Sequence, residues 1–139
     1  MRLRPPHTPA RRGAAVVEMA IVLPLMMFLL LVGIDYCRLF FFSQIVCNCT
    51  RNGAVFVSDP YNIADSPYAS LEEAAKADAG SDIKSQLTVT SKTGSDSLGA
   101  YTEVTVSYPF STLTSYPGLP KTVTITRTAQ VRIAPRVPK

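Results

Sequence analysis

Few residues in this chain have types that could do chemistry, and their spacing keeps most of them apart. The one histidine, His7, sits in an arginine-rich leader. A Ser/His or Cys/His pair would have to recruit it from across the long apolar run that follows, so nucleophilic catalysis finds no base. The cysteines are Cys37, Cys47 and Cys49. If one helix carries all three, Cys37 and Cys47 lie about 15 Å apart along its axis. Cys47 and Cys49 then point to nearly opposite sides. A disulfide needs converging side chains with Cα atoms about 4.4–6.8 Å apart. The cysteines therefore read as small packing residues in or near a membrane helix, with pairing between molecules as the alternative. No glycine-rich phosphate loop and no metal-ligand cluster is written in the sequence. The expectation is a non-enzyme with no cofactor, no metal and no small-molecule substrate.

The residue that stands out is Glu18. Sixteen uncharged residues separate it from the next charge, Asp35. A carboxylate in such a stretch costs about 2.5–3.5 kcal/mol at a helix centre and less near an end, so it calls for a partner. The preceding residues are Arg11, Arg12, Gly13, Ala14, Ala15, Val16 and Val17. If a peptidase cuts after Gly13, Ala14 becomes a free amino terminus. Glu18 then lies one helical turn further in and can pair with that amine, within the chain or on a neighbour. The plainer alternative is a glutamate at the lipid interface whose head reaches water. Asp35 and Arg38, three apart where the apolar run ends, read as a surface ion pair worth a few tenths of a kcal/mol.

Charge is distributed as unevenly as chemistry. The chain has 139 residues and a net charge of +4. Arg2, Arg4, Arg11 and Arg12 supply that excess, and the rest of the chain balances to zero. A nucleic-acid-binding surface needs clustered lysine and arginine on the fold, so that function class is excluded.

These residues must be positioned by a long helix. Residues 1–13 form a basic, proline-bearing cytoplasmic leader. Residues 14–35 form a transmembrane helix, since the 21 positions 14–34, apolar except for Glu18, fill a hydrocarbon core of about 30 Å at 1.5 Å each. The leader arginines hold the amino end in the cytoplasm, which places residues 36–139 outside it. No small-x-small site follows Ile34, and no small residues precede Cys37 or Cys47, so neither a cleaved signal peptide nor a lipoprotein fits. The helix continues as an amphipathic rod. Leu39, Phe42, Val46, Cys49, Gly53 and Phe56 recur at spacings of three and four, with Gln44, Asn48, Arg51 and Asn52 opposite. Asp59-Pro60 ends it near residue 57, after roughly 66 Å. Pro24 lies inside it and predicts a mild kink.

Beyond a loop over 58–66, Ser66-Pro67 predicts the start of a short helix over 67–79. Leu71, Ala74, Ala75 and Ala79 would be its buried side, and Gly80 would close it. The period then falls to two. Strands are expected at 86–92, bounded by Thr93-Gly94, then at 101–110 and at 121–133, where Val123, Ile125, Arg127 and Ala129 point one way. Pro109 marks an edge or a strand terminus. The fold class is α+β: a long helix laid over a three-stranded antiparallel sheet, one sheet face threonine-rich and the other covered by the helix, with one short extra helix.

The stretch from Arg11 to Ala54 resembles the amino-terminal signature of TadE-like proteins, and the later Val-Thr-Val-Ser-Tyr-Pro-Phe-Ser-Thr-Leu and the closing threonine-rich strand carry the resemblance over most of the chain, strongest over 11–57. The resemblance rests on Arg-Arg-Gly, on Glu18 after four small or apolar residues, and on Val-Leu-Pro-Leu leading into leucine-rich sequence. It continues with Gly-Ile-Asp-Tyr-Cys-Arg and with Thr-Arg-Asn-Gly-Ala at 50–54. The chain departs at Met19, where members usually carry an aromatic residue. The resemblance implies a pilin-like minor subunit, or pseudopilin, of a tight-adherence (Tad) pilus, bitopic in the bacterial inner membrane. It implies prepilin-peptidase processing between Gly13 and Ala14, and subunit docking through Glu18. Its partners would be other pilin-like subunits, the Tad assembly platform, the peptidase and membrane lipid. An extracytoplasmic binding module on an uncleaved anchor is the alternative.

Overall fold

The computed structural model describes residues 12–59, 65–113 and 121–133. The leader up to Arg11, with His7, lies outside the described residues. So do Pro60 and most of the expected 58–66 loop, and the link between the last two strands. Helix α1 runs unbroken over Arg12–Ser58, 47 residues, with Pro24 inside it. Leucine, methionine and alanine favour it through the apolar half. Its last turn is closed by Ser58, whose Oγ donates to the Val55 carbonyl at 2.7 Å.

Two short helices follow where one is expected. Helix α2 spans Leu71–Ala75 and α3 spans Ser81–Lys84. Ser66 is not the cap: its Oγ accepts from the Tyr68 N–H in a local turn. Ser70 caps instead, accepting from the Glu73 N–H at 3.2 Å. Glu73 reaches back to the Ala69 N–H at 2.9 Å, so Ser70 and Glu73 satisfy two orphan donors between them. Gly80 does not close a helix but sits in extended conformation at the N-cap of α3. Of the expected buried side, Ala74, Ala75 and Ala79 are buried and Leu71 is half-buried.

The sheet has strands β1 (Thr88–Asp96), β2 (Gly99–Ser111) and β3 (Thr122–Arg132), antiparallel in the order β1-β2-β3. β1 begins two residues later than expected and runs on past Thr93-Gly94. Gly94 is there because it pairs with Tyr101, and a Cβ would stand 2.6 Å from that ring. The true turn is Ser97-Leu98. No described non-glycine residue has positive φ, and Gly99 at φ 119° takes the conformation that returns the chain. Pro109 lies beyond Ser107, the last β2 residue paired to β1, so the central strand has become an edge there.

One face of β2 carries Thr102, Val104, Val106, Tyr108 and Phe110, all buried. Val46 and Cys49 of α1, Ile125 of β3 and Leu87 complete the core, with Leu39 and Phe42 packed against it. The stripe expected on the helix is therefore the one that meets the sheet. Burying each such side chain stabilises by about 1.5–3 kcal/mol. Phe42 stacks on Tyr108 with centroids 5.0 Å apart and tilts against Phe110 at 5.8 Å. Gly53 is the point of closest approach: a Cβ there would meet Val104 Cγ1 at 3.0 Å and Ala75 Cβ at 3.2 Å. It lets α1 pass between β2 and α2. Arg127 lies on the inner face of β3, as expected, but is exposed and donates to Ser43 Oγ at 2.8 Å. A charge facing inward on an edge strand discourages pairing with other chains. The opposite sheet face is threonine-rich, with Thr105 and Thr128 hydroxyls 2.9 Å apart.

β2 descends toward the apolar half of α1 and β3 climbs away from it. At the far end, Asp96 and Arg132 form two parallel bonds, both 2.9 Å, that tie β1 to β3. The Arg132 guanidinium, helped by the Leu98 N–H, holds the Asp96 carboxyl down to about 2 from an ordinary 3.8. Because the folded value is depressed, this pair contributes fully above about pH 4 and is lost as pH falls toward 2. In an NMR titration of the micelle-bound chain, Asp96 should stay ionised to near pH 2. Arg132→Gln should return its midpoint toward 3.8. Both groups are exposed, so the effect is expected at the hairpin end and not in global stability.

Candidate functional site: the uncovered helix and its junction with the sheet

The three residues singled out for processing and docking fall together at one end of α1. Gly13 and Ala14 are its second and third residues, and Glu18 follows one turn after Ala14. All three are exposed, as is every residue from Gly13 to Ile34. No residue of the apolar span is buried by the rest of the chain. Seventeen helical steps, about 25 Å, lead from Glu18 to Asp35, which bonds the sheet end.

That beginning is a built junction. Asp35 Oδ1 accepts from the Leu113 N–H at 2.9 Å and from Arg38 at 3.2 Å. Arg38 also donates to the Ser111 carbonyl at 3.4 Å and lies 5.3 Å over the Phe110 ring. The Asp35 side chain keeps only 12% of its exposure. The surface pair expected from spacing is thus a clasp that fastens the end of β2 to the helix. The sequence held a signal for this: Asp35 stands four residues before Leu39, in register with the buried stripe.

On the outward side of α1, Tyr36, Phe40 and Phe41 are exposed. Cys37 and Cys47 are exposed thiols and Cys49 is buried. Burial, then the nearby Asp78 charge, pushes the Cys49 thiol above its ordinary pKa, so it packs and does not react. Thr50, buried beside it, donates to the Val46 carbonyl at 2.7 Å and lies 3.5 Å from the carbonyl of Arg127. Asn52, on the side expected to be polar, donates to Asp78 at 2.8 Å and links α1 to the turn after α2. Among the described residues no three His, Cys, Asp or Glu side chains form a group that could hold a metal. What the arrangement offers is an uncovered helix, rigidly joined to a small sheet.

Comparison with known families matches residues 13–55 to the model for TadE-like protein. The chain is TadE-like over these residues. The TadE-like segment begins at Gly13 and ends within the last turn of α1, so it is the helix itself, both the apolar half and the stripe that meets the sheet. No curated protein and no solved structure matches the chain. The similarity suggests a Tad pilus-related, pilin-like protein, of a kind that is typically structural. An apolar helix at its amino end fits a membrane anchor.

Proposed function

We propose that this protein is a pilin-like minor subunit that supports assembly of a Tad-type adhesive pilus by lateral packing of its helix. It resides in the bacterial inner membrane with its amino end in the cytoplasm and its sheet outside. A prepilin peptidase removes the leader between Gly13 and Ala14. Glu18 then meets the new amine on a neighbouring subunit or at the assembly platform. The observation that carries this reading is the TadE-like match on a helix whose apolar half has no residue buried by its own fold. A helix apolar all round needs lipid or other helices, and one carboxylate within it needs a cation at the same depth.

The test is the intact mass of the full chain after co-expression with a cognate prepilin peptidase. The mass should fall by that of residues 1–13, and Gly13→Val should block the loss. A reporter fused after Lys139 should be active only outside the cytoplasm. An unchanged mass beside an active peptidase would favour a binding module on an uncleaved anchor. Reporter activity in the cytoplasm would reject both.

A further inference from the structure

We infer that the end of the sheet nearest the span, at Leu113 and Lys121, rests in the headgroup layer of the membrane that α1 crosses. The inference rests on the anchorage proposed above and adds a second, sequence-distant contact with lipid. Its basis is height. The apolar run ends at Ile34, so a filled hydrocarbon core puts Asp35 at its border. Leu113 is fixed to that level because its own N–H bonds Asp35 Oδ1 at 2.9 Å. The headgroup layer beyond the core is about 5–8 Å thick on each side, and Leu113 cannot lie far above it.

The side chains suit the place. Leu113 is a large apolar group that stays 65% exposed. Tyr36, 71% exposed, stands one residue past Asp35, and Phe40 lies about 9 Å above Ile34 at the outer edge of the layer. Aromatic rings are enriched at this depth. Lys121 is exposed at the same end, its carbonyl accepting from the Thr112 N–H at 3.1 Å. A lysine there can lie along the apolar zone and extend its ammonium to phosphate. Continuity with the uncovered span selects phospholipid, and not a protein partner, as the occupant.

The chain has no tryptophan, so single reporters read cleanly. Leu113→Trp, Leu29→Trp and Leu98→Trp are made in the full chain. They are reconstituted in phosphatidylcholine/phosphatidylglycerol vesicles whose acyl chains carry bromine either near the headgroup or near the chain end. Leu113→Trp should be blue-shifted and lose about twofold in emission to shallow bromine, and less to deep bromine. Leu29→Trp should respond to deep bromine. Leu98→Trp, at the far turn and 77% exposed, should respond to neither. Lys121→Trp is the second reporter should Leu113→Trp misfold. Reporters at 113 and 121 that behave like Leu98→Trp, while Leu29→Trp is quenched, overturn the inference and leave anchorage standing. A blue shift without quenching means protein covers the site, and also overturns it. An unquenched Leu29→Trp means that the anchorage itself fails, and the inference falls with it.

Discussion

Phe110→Ala is expected to cost about 3–5 kcal/mol of folding stability, the range for emptying a buried phenylalanine site. Phe110 is 2% exposed and joins three elements at once. It tilts against Phe42 of α1, lies under the Arg38 guanidinium, and pairs with Val123 of β3. Small domains are stable by only about 5–15 kcal/mol, so this single cavity removes a large share. The Arg38 clasp should loosen with it, because that guanidinium loses the ring it covers. Pulse proteolysis of the full chain in detergent measures the change. Cleavage should move to lower urea in Phe110→Ala and recover most of the way in Phe110→Leu, which keeps most of the volume. An unchanged midpoint for the alanine variant would mean that the helix is not held to the sheet here.

Glu18→Ala is expected to leave the protein present, processed and folded, yet defective in pilus assembly and surface attachment. It removes the only charge between Arg12 and Asp35. Membrane insertion should improve slightly, since a carboxylate in an apolar stretch is costly. The sheet should be indifferent, because Glu18 lies about 25 Å along the helix from the first residue that touches it. A charge-assisted bond to an amine is worth about 1.5–3 kcal/mol. Each lost contact should therefore weaken docking about ten- to a hundred-fold. Glu18→Gln should behave alike, keeping size and hydrogen bonding but not charge. Normal piliation in both variants at normal protein level would make Glu18 an interfacial residue and remove the docking role.

The long helix and its buried stripe were legible because a 3.6-residue period repeats from Leu39 to Phe56, and because a wholly uncharged run sets where the apolar half lies. The alternation in β2 was equally plain, since a half-buried strand must write its two faces in turn. Asp35 was harder: a charge at the end of an apolar run reads as the membrane boundary, and only the fold shows it accepting from Leu113. Ser66-Pro67 looked like a helix start because both residues favour one, yet Ser70 with Glu73 satisfies two donors and wins. Gly94 looked like a turn because glycine so often ends strands; the Tyr101 ring that lies over it belongs to another strand. The candidate site divides the same way. Ala14 and Glu18 were readable as positions on one helix, whereas Gly13, read as the end of the leader, lies on that helix too, which starts at Arg12; their proposed roles act between molecules. The helical period puts Asp35 and Gly53 on the stripe, but their partners, like the Asp96–Arg132 pair, depend on contacts across the fold.

The direction of β3 has a mechanical consequence. The strand starts beside the clasp at Asp35 and runs outward in the same sense as α1, so the chain leaves the sheet beyond Ile133 at the end opposite the anchor. Tension between the anchored helix and that outer end would act along β3, at right angles to its hydrogen bonds with β2. The whole ladder from Thr122 to Arg132 would then share the load in shear, and its bonds would have to fail together. Pulling sideways on the start of β1 at Thr88, the end away from its turn, would instead open β1 from β2 one pair at a time. The domain is therefore built to resist being drawn away from the membrane more strongly than being peeled across it.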